Sequence, residues 1–271
     1  MTIKMVITDL DGTLLDSKEA VSEANIRAFT ALKQQGILCV VATGRIENEA
    51  RYAFELIGAT EYFIGMNGAQ ILNLKTKEII AESFLSPITA QKVFDVLHTA
   101  GVFFQIYSQD DVICTPDIYE KRLGAGINKE YLARFGDSIR VCTSIVQPLT
   151  KTNKFFAVVP DRAQEAYIYS ALQEMGDISL VSAQSDYLEI IPKTIHKGIA
   201  VAHLCQHLNI SLENVLAIGD SDNDLEMLKT VGISIAMGNA HPHIKDVADY
   251  VVASNDDNGV AHAIDQLILR R

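Results

Sequence analysis

Three observations predict an α/β fold with a mostly parallel, doubly wound sheet, interrupted by a separate α+β domain. Short apolar runs alternate with helical stretches near both ends of the chain, the signature of βαβ units. Several of those runs stop abruptly in clusters of Asp, Asn, Thr and Gly. Between the two regions, after Glu82, the rhythm changes to paired strands separated by helices for roughly 100 residues, long enough for a domain of its own.

The first strand is read at Ile3 to Thr8, ending in Asp9-Leu10-Asp11-Gly12-Thr13. Ser22 to about Gln35 has helical spacing, with Ala24, Ala28, Ala31 and Leu32 on one side and Gly36 closing it. Ile37 to Ala42 is the next strand and leads into Thr43-Gly44-Arg45; a helix from about Glu47 to Ile57 stops at Gly58. Tyr62 to Ile64 ends at Asn67-Gly68. In the insert, Ser86-Pro87 opens a helix to about Ala100, and Val102 to Tyr107 and Val112 to Cys114 are strands. Phe155 to Val159, a helix over Asp161 to Met175, and the pair Ile178 to Ser182 and Tyr187 to Ile191 complete it. The βα rhythm returns at Lys197 with a helix to Leu208, then Val215 to Ile218 running into Gly219-Asp220-Ser221-Asp222-Asn223-Asp224. A helix over Leu225 to Thr230, strands at Ile233 to Ala236 and Tyr250 to Val252, and a helix over Gly259 to Leu269 close the chain.

The 271 residues suggest about two domains, and a hydrophobic content of 48% supports a substantial core. The net charge of −11 makes the chain a poor coat for nucleic acid or an anionic membrane, so neither is expected as a partner. Cys39, Cys114, Cys142 and Cys205 are widely spaced and form no CxxC pair. The N-terminus runs directly into a strand, and no apolar stretch is long enough to span a bilayer. A reduced, cytoplasmic protein is the expectation.

In open α/β sheets the working crevice lies beyond the carboxyl ends of the strands. Four strands here end in polar clusters: Asp9/Asp11, Thr43, Asn67, and Asp220/Asn223/Asp224. Any one of them reads as a turn or helix cap. Four together concentrate carboxylates that repel one another, which calls for a hard cation with oxygen ligands such as Mg²⁺. The Asp220-to-Asp224 run imitates a calcium loop, but Leu225 replaces the required Gly and Val231 the final Glu. His203 and His207 have one-turn spacing without the Glu of a zinc helix, and are read as a polar helix face; His241 and His243 flank Pro242 as capping or surface residues. Gly124 and Gly126 begin a dinucleotide-like pattern that Lys129 breaks.

Asp9-Leu10-Asp11-Gly12-Thr13, Thr43-Gly44-Arg45, Lys197-Gly198 and Gly219-Asp220 through Asn223-Asp224 resemble, in order, the four motifs of the haloacid dehalogenase (HAD) superfamily. The insert occupies the position of that family's C2-type cap. Tyr187-Leu188-Glu189-Ile190, Met237-Gly238-Asn239-Ala240 and Asp257 to Ala261 are similar to the Cof-type branch, which includes bacterial sugar phosphatases. The resemblance implies a Rossmann-like core over 1–84 and 191–271, with a cap over 85–190 that governs substrate choice.

It also implies an Mg²⁺-dependent phosphatase that hydrolyses a small phosphorylated metabolite, sugar phosphates foremost, through an aspartyl-phosphate. Asp9 would be the nucleophile and Asp11 the acid and base. Thr43 and Lys197 would hold phosphoryl oxygens, with Leu10 and Gly44 backbone amides completing a cradle. Metal ligands would be Asp9, Asp220 and the backbone carbonyl of Asp11, with Asp224 either a further ligand or standing just behind them. Asn223, Arg45 and Asn67 would line the phosphate or substrate. Asp11 favours ester cleavage over dehalogenation, since an alkoxide leaves with a proton and a halide does not. A phosphomutase using the same aspartyl-phosphate stays open. A phospho-receiver module is more remote, because receivers are shorter and place the acceptor Asp after a later strand.

Overall fold

The structure, a computed structural model, describes residues 2–109, 111–114, 139–141, 149–184 and 186–270. Cys142 and the Gly124 to Lys129 pattern lie outside the described residues. Two compact units make up the chain: Met1–Ala81 with His196–Arg271, and Glu82–Ile195.

In chain order the first strands are β1 (Met5–Thr8), β2 (Leu38–Ala42), β3 (Tyr62–Gly65), β4 (Gln70–Asn73) and β5 (Ile79–Glu82). The second unit supplies β6 (Phe103–Ser108), β7 (Asp111–Cys114), β8 (Ile139–Val141), β9 (Lys154–Val158), β10 (Ile178–Gln184) and β11 (Tyr187–Pro192). β12 (Val215–Gly219), β13 (Ile233–Ala236) and β14 (Tyr250–Val251) follow. The first unit holds an eight-stranded sheet in the order β14-β13-β12-β1-β2-β3-β4-β5. Its pairs from β14 through β3 are parallel, and β4 runs antiparallel to β3.

β1 is buried at every position. Met5 and Ile7 pack on one face with Val40, Ala42, Val215 and Ala217, while Val6 packs on the other with Cys39, Val41, Leu216 and Ile218. Helices cover both faces of such a sheet, so its strands read as continuous apolar runs rather than alternating ones. α1 (Glu23–Gln34) and α2 (Glu47–Leu56) cover the Val6 face, and the helix beginning at Lys197 covers the Met5 and Ile7 face. Ser22 caps α1 by accepting a hydrogen bond from Asn25 N, and Gly36 follows it with φ 73°.

β4 and β5 add strands that the sequence reading passed over. Their signal is weak: two or three apolar residues in each run, joined by a turn in which Asn73 Oδ1 accepts from Lys75 N and Thr76 N. The expected closing helix is α-helical only over Gly259–Ile264 and widens over Asp265–Leu269.

In the second unit the sheet order is β10-β11-β9-β6-β7-β8, antiparallel except for the parallel β7–β8 pair. Among the described residues, α3 (Pro87–Ala100) and α4 (Arg162–Leu172) pack Ala90, Val93, Leu97, Ile168 and Leu172 with Phe104, Ile106, Phe155, Ala157, Leu188 and Ile190. The architecture is thus α/β with a mostly parallel core sheet and a separate, mainly antiparallel one. Cys39, Cys114 and Cys205 are buried free thiols, and burial pushes the Cys39 thiol up to about 12, so it acts as a small hydrophobe. Among the described residues, no helix is long and apolar enough to cross a membrane.

Candidate active site

β12, β1, β2 and β3 are neighbours in the core sheet. The four polar clusters therefore follow the carboxyl ends of adjacent strands, which accounts for their convergence. Asp9 sits one residue past β1 in extended geometry (φ −68°, ψ 169°), its N–H bonded to Ile218 O at 2.9 Å. The backbone ladder of β12 thus continues into the site and fixes the base of the Asp9 side chain.

Lys197 opens the helix α5 (Lys197–Leu208), capped by His196, whose Nδ1 accepts from Ile199 N at 3.3 Å. Its side chain is completely buried, and Nζ donates to Asp9 Oδ1 at 2.5 Å and to Asp224 Oδ1 at 2.7 Å. The other Asp224 oxygen accepts from the backbone N–H groups of Asp220 (3.0 Å) and Ser221 (3.2 Å). Asp220 in turn accepts from the Thr13 hydroxyl at 2.7 Å. α5 lies close to the short helix α6 (Leu225–Thr230) because residue 198 is glycine: a Cβ there would lie 2.4 Å from Glu226 O.

Oxygens of Asp9, Asp220 and Asp224 lie within 4.8 Å of one another. Three carboxylates around one ammonium leave excess negative charge, and the titration behaviour reflects it. The Asp9 carboxyl is held well above its ordinary value, by burial first and then by Asp224. Asp220 is pushed up to about 6, again by burial and then by Asp224. Burial disfavours the Lys197 ammonium, but Asp224 and Asp9 outweigh it and raise its pKa overall, so this lysine stays charged.

The sign of the Asp220 shift gives a test. A carboxyl with a raised folded pKa binds its proton more tightly folded than unfolded, so its stabilisation is full below about pH 4 and fades as pH rises through the folded value. In chelator, the unfolding midpoint of the protein is expected to fall between about pH 4 and pH 6. Asp220→Asn should flatten that part of the profile; an unaltered profile would contradict the shift.

The remaining predicted residues form two smaller contacts. Arg45 makes a two-point ion pair with Asp11, Nε donating to Oδ2 at 2.9 Å and Nη2 to Oδ1. Asn223 Nδ2 donates to Asn67 Oδ1 at 3.1 Å, joining the loops after β12 and β3. Thr43 is fully buried, and its hydroxyl oxygen accepts from Arg45 N at 3.2 Å. Leu10 is buried, and Gly44 lies partly exposed beside Thr43. The Asp11 carboxylate is outside the three-carboxylate group and belongs to the Arg45 pair.

Thr13 and Asn239 received no role from sequence. Thr13 orients Asp220, and Asn239 Nδ2 donates to Gly12 O at 2.8 Å, bracing the loop after Asp9. Both stood inside quoted motifs, so the signal was present without a geometry to interpret it. Gly12 has φ 77°, and a Cβ there would lie 2.5 Å from Asp220 Oδ2, so this loop can pass the carboxylate only as glycine. Away from the site, His207 packs edge-on against Tyr62, while His241 and His243 stack and His243 pairs with Asp222 at 2.5 Å.

A carboxylate cluster partly balanced by one buried ammonium, at the ends of a parallel sheet, is an arrangement suited to phosphoryl transfer. The chain belongs to the haloacid dehalogenase-like hydrolase family, whose model matches residues 6–264. It is a phosphatase of that superfamily, and its carboxylate triad is consistent with the family's metal site. Phosphatase YwpJ of Bacillus subtilis is 29% identical over 290 residues, covering 98% of this chain and 100% of that protein. The 5-amino-6-(5-phospho-D-ribitylamino)uracil phosphatase YcsE of the same organism is 26% identical, covering 98% and 96%. A solved haloacid dehalogenase-like hydrolase from Bacteroides thetaiotaomicron superposes with a TM-score of 0.84 at 26% identity, covering 98% of this chain and 100% of that one.

Proposed function

We propose that the chain is a Mg²⁺-dependent phosphatase hydrolysing small phosphomonoesters, sugar phosphates foremost, through a phosphorylated Asp9. The observation that carries this reading is the buried array in which Lys197 bridges Asp9 and Asp224 beside Asp220. A carboxylate anchored by backbone and ammonium is a positioned nucleophile, and a positive charge beside it meets the incoming phosphoryl oxygens.

Asp9 attacks phosphorus, and Asp11 protonates the departing ester oxygen. Asp11 then takes a proton from the water that attacks the phosphoryl-aspartate, releasing phosphate and restoring Asp9. Lys197 and the Thr43 hydroxyl hold phosphoryl oxygens, with Leu10 and Gly44 amides beside them and Asn223 and Asn67 fixing the rim. The donors fit a hard cation: Asp9, Asp220 and Asp224, with the Asp11 carbonyl, would hold Mg²⁺, which supplies charge neutralisation for the phosphoryl group when bound. The unit Glu82–Ile195 is assigned the choice of leaving group. A relative named for a phosphorylated ribityl compound supports polyol and sugar phosphates as the substrate class.

The test is phosphate release from an aryl phosphate and a panel of sugar and polyol phosphates, with Mg²⁺ and with chelator. Metal-dependent release is expected, with turnover in chelator below about 1% of the Mg²⁺ value. An isomerised sugar phosphate without free phosphate would replace the hydrolase reading with a mutase. Full turnover in chelator would remove the metal from the reading.

A further inference from the structure

We propose that Arg45 is a positioning residue for Asp11, setting where the acid stands rather than binding the substrate's phosphate. The proposal rests on the phosphatase reading above. Arg45 meets Asp11 through two parallel contacts, Nε to Oδ2 and Nη2 to Oδ1, the fork-to-fork arrangement that fixes a carboxylate in orientation as well as distance. That arrangement occupies one of the two donor edges of the guanidinium, the Nε–Nη2 edge, with Asp11.

The two partners differ in how firmly they are built in. The Arg45 side chain is 16% exposed and that of Asp11 is 54%. The Arg45 backbone is tied on both sides, its N–H to Thr43 Oγ1 at 3.2 Å and its carbonyl to Met66 N at 3.1 Å. A Cβ at Gly65 would lie 2.6 Å from the Phe63 ring and 3.1 Å from that carbonyl, so the chain passes tightly here. Asp11 instead stands on a loop turned by Gly12 and braced at the Gly12 carbonyl by Asn239. The rigid partner is the arginine and the adjustable one is the acid. Thr43, one of the residues assigned to the phosphoryl group, therefore also anchors the arginine that orients Asp11.

The chemical consequence is confined to one proton. As Asp9 forms its bond to phosphorus, the bond between phosphorus and the ester oxygen breaks, and its electron pair stays on that oxygen. The oxygen takes the proton from the Asp11 carboxyl, which carries it on Oδ1 in place of the Nη2 contact while Oδ2 keeps the bond from Arg45 Nε. An alkoxide needs that proton and a nitrophenolate does not, so loss of Arg45 should be felt in proportion to leaving-group basicity. Loss of a phosphate ligand would instead weaken every substrate alike.

The experiment measures kcat/KM for a nitrophenyl phosphate and an alkyl phosphate in wild type, Arg45→Met, Arg45→Lys, Asp11→Asn and Asp11→Asn/Arg45→Met, together with inhibition by inorganic phosphate. In Arg45→Met the alkyl substrate is expected to lose ~10-fold or more beyond the aryl one, within the range a general acid contributes. Arg45→Lys should restore only part of this, because an ammonium lacks the fork. In the Asp11→Asn background, Arg45→Met should cost little more, since the two act as a unit. Equal losses on both substrates with weakened phosphate inhibition would overturn the proposal in favour of phosphate binding. Additive losses, or no loss at all, would overturn it as well. Failure of the phosphatase reading is separately visible as wild type that releases no phosphate from either substrate.

Discussion

Asp9→Asn is expected to abolish phosphate release, by ~10³-fold or more, in a protein that remains folded. The amide is isosteric and its oxygen still accepts from Lys197, so the contact at 2.5 Å has a neutral replacement. Asp9 is buried and flanked by Asp224, Asp220 and Asp11, all of which disfavour its charge. Removing that charge should leave the metal-free protein at least as stable as wild type. Loss of turnover with an equal or higher unfolding temperature is therefore the signature of a nucleophile held at a cost to stability. Residual turnover near the wild-type rate would end the aspartyl-phosphate mechanism, and a collapse in stability would mean that Asp9 is structural.

Lys197→Met should fail in both respects. The lysine is fully buried, and its removal leaves Asp9 and Asp224 facing each other with no cation between them. Breaking a buried ion pair by deleting one partner costs about 3–5 kcal/mol, far more than an exposed pair is worth. Asp224 keeps its two backbone donors, so the rise in free energy should concentrate at Asp9. Denaturant unfolding in chelator should show the full loss, and adding Asp224→Asn to Lys197→Met should recover part of it by lifting the repulsion. An Lys197→Met protein as stable as wild type would mean that the array does not hold the site together.

Much of this site was readable before any fold was drawn, for a physical reason. Parallel strands end at one edge, so polar residues just after apolar runs gather there whatever the loops do. Asp9, Thr43, Asn67 and Asp220 follow that rule, and the order β12-β1-β2-β3 satisfies it. What periodicity does not carry is the partner of each side chain. Lys197 resembles any solvent-facing lysine at a helix start, and its complete burial depends on a strand pairing that closes late in the chain. The Arg45–Asp11 pair joins residues 34 positions apart, set by two loops with no repeating pattern. The β4–β5 hairpin escaped because its apolar runs are too short to stand out from turns.

The position of β1 in its sheet also decides when the molecule can become active. Its neighbours are β2, made early, and β12, whose Val215 pairs with Met5. A ribosome delivers the whole of Glu82–Ile195 before that second neighbour exists. The interrupting unit has its own core and can fold first, while β1 waits with one edge open. Asp224, the last of the clustered carboxylates, arrives after Lys197, so the ammonium is already made when the charges crowd together. Partly synthesised chains therefore hold no assembled site, and closing this long-range pairing is expected to be the slow step of folding.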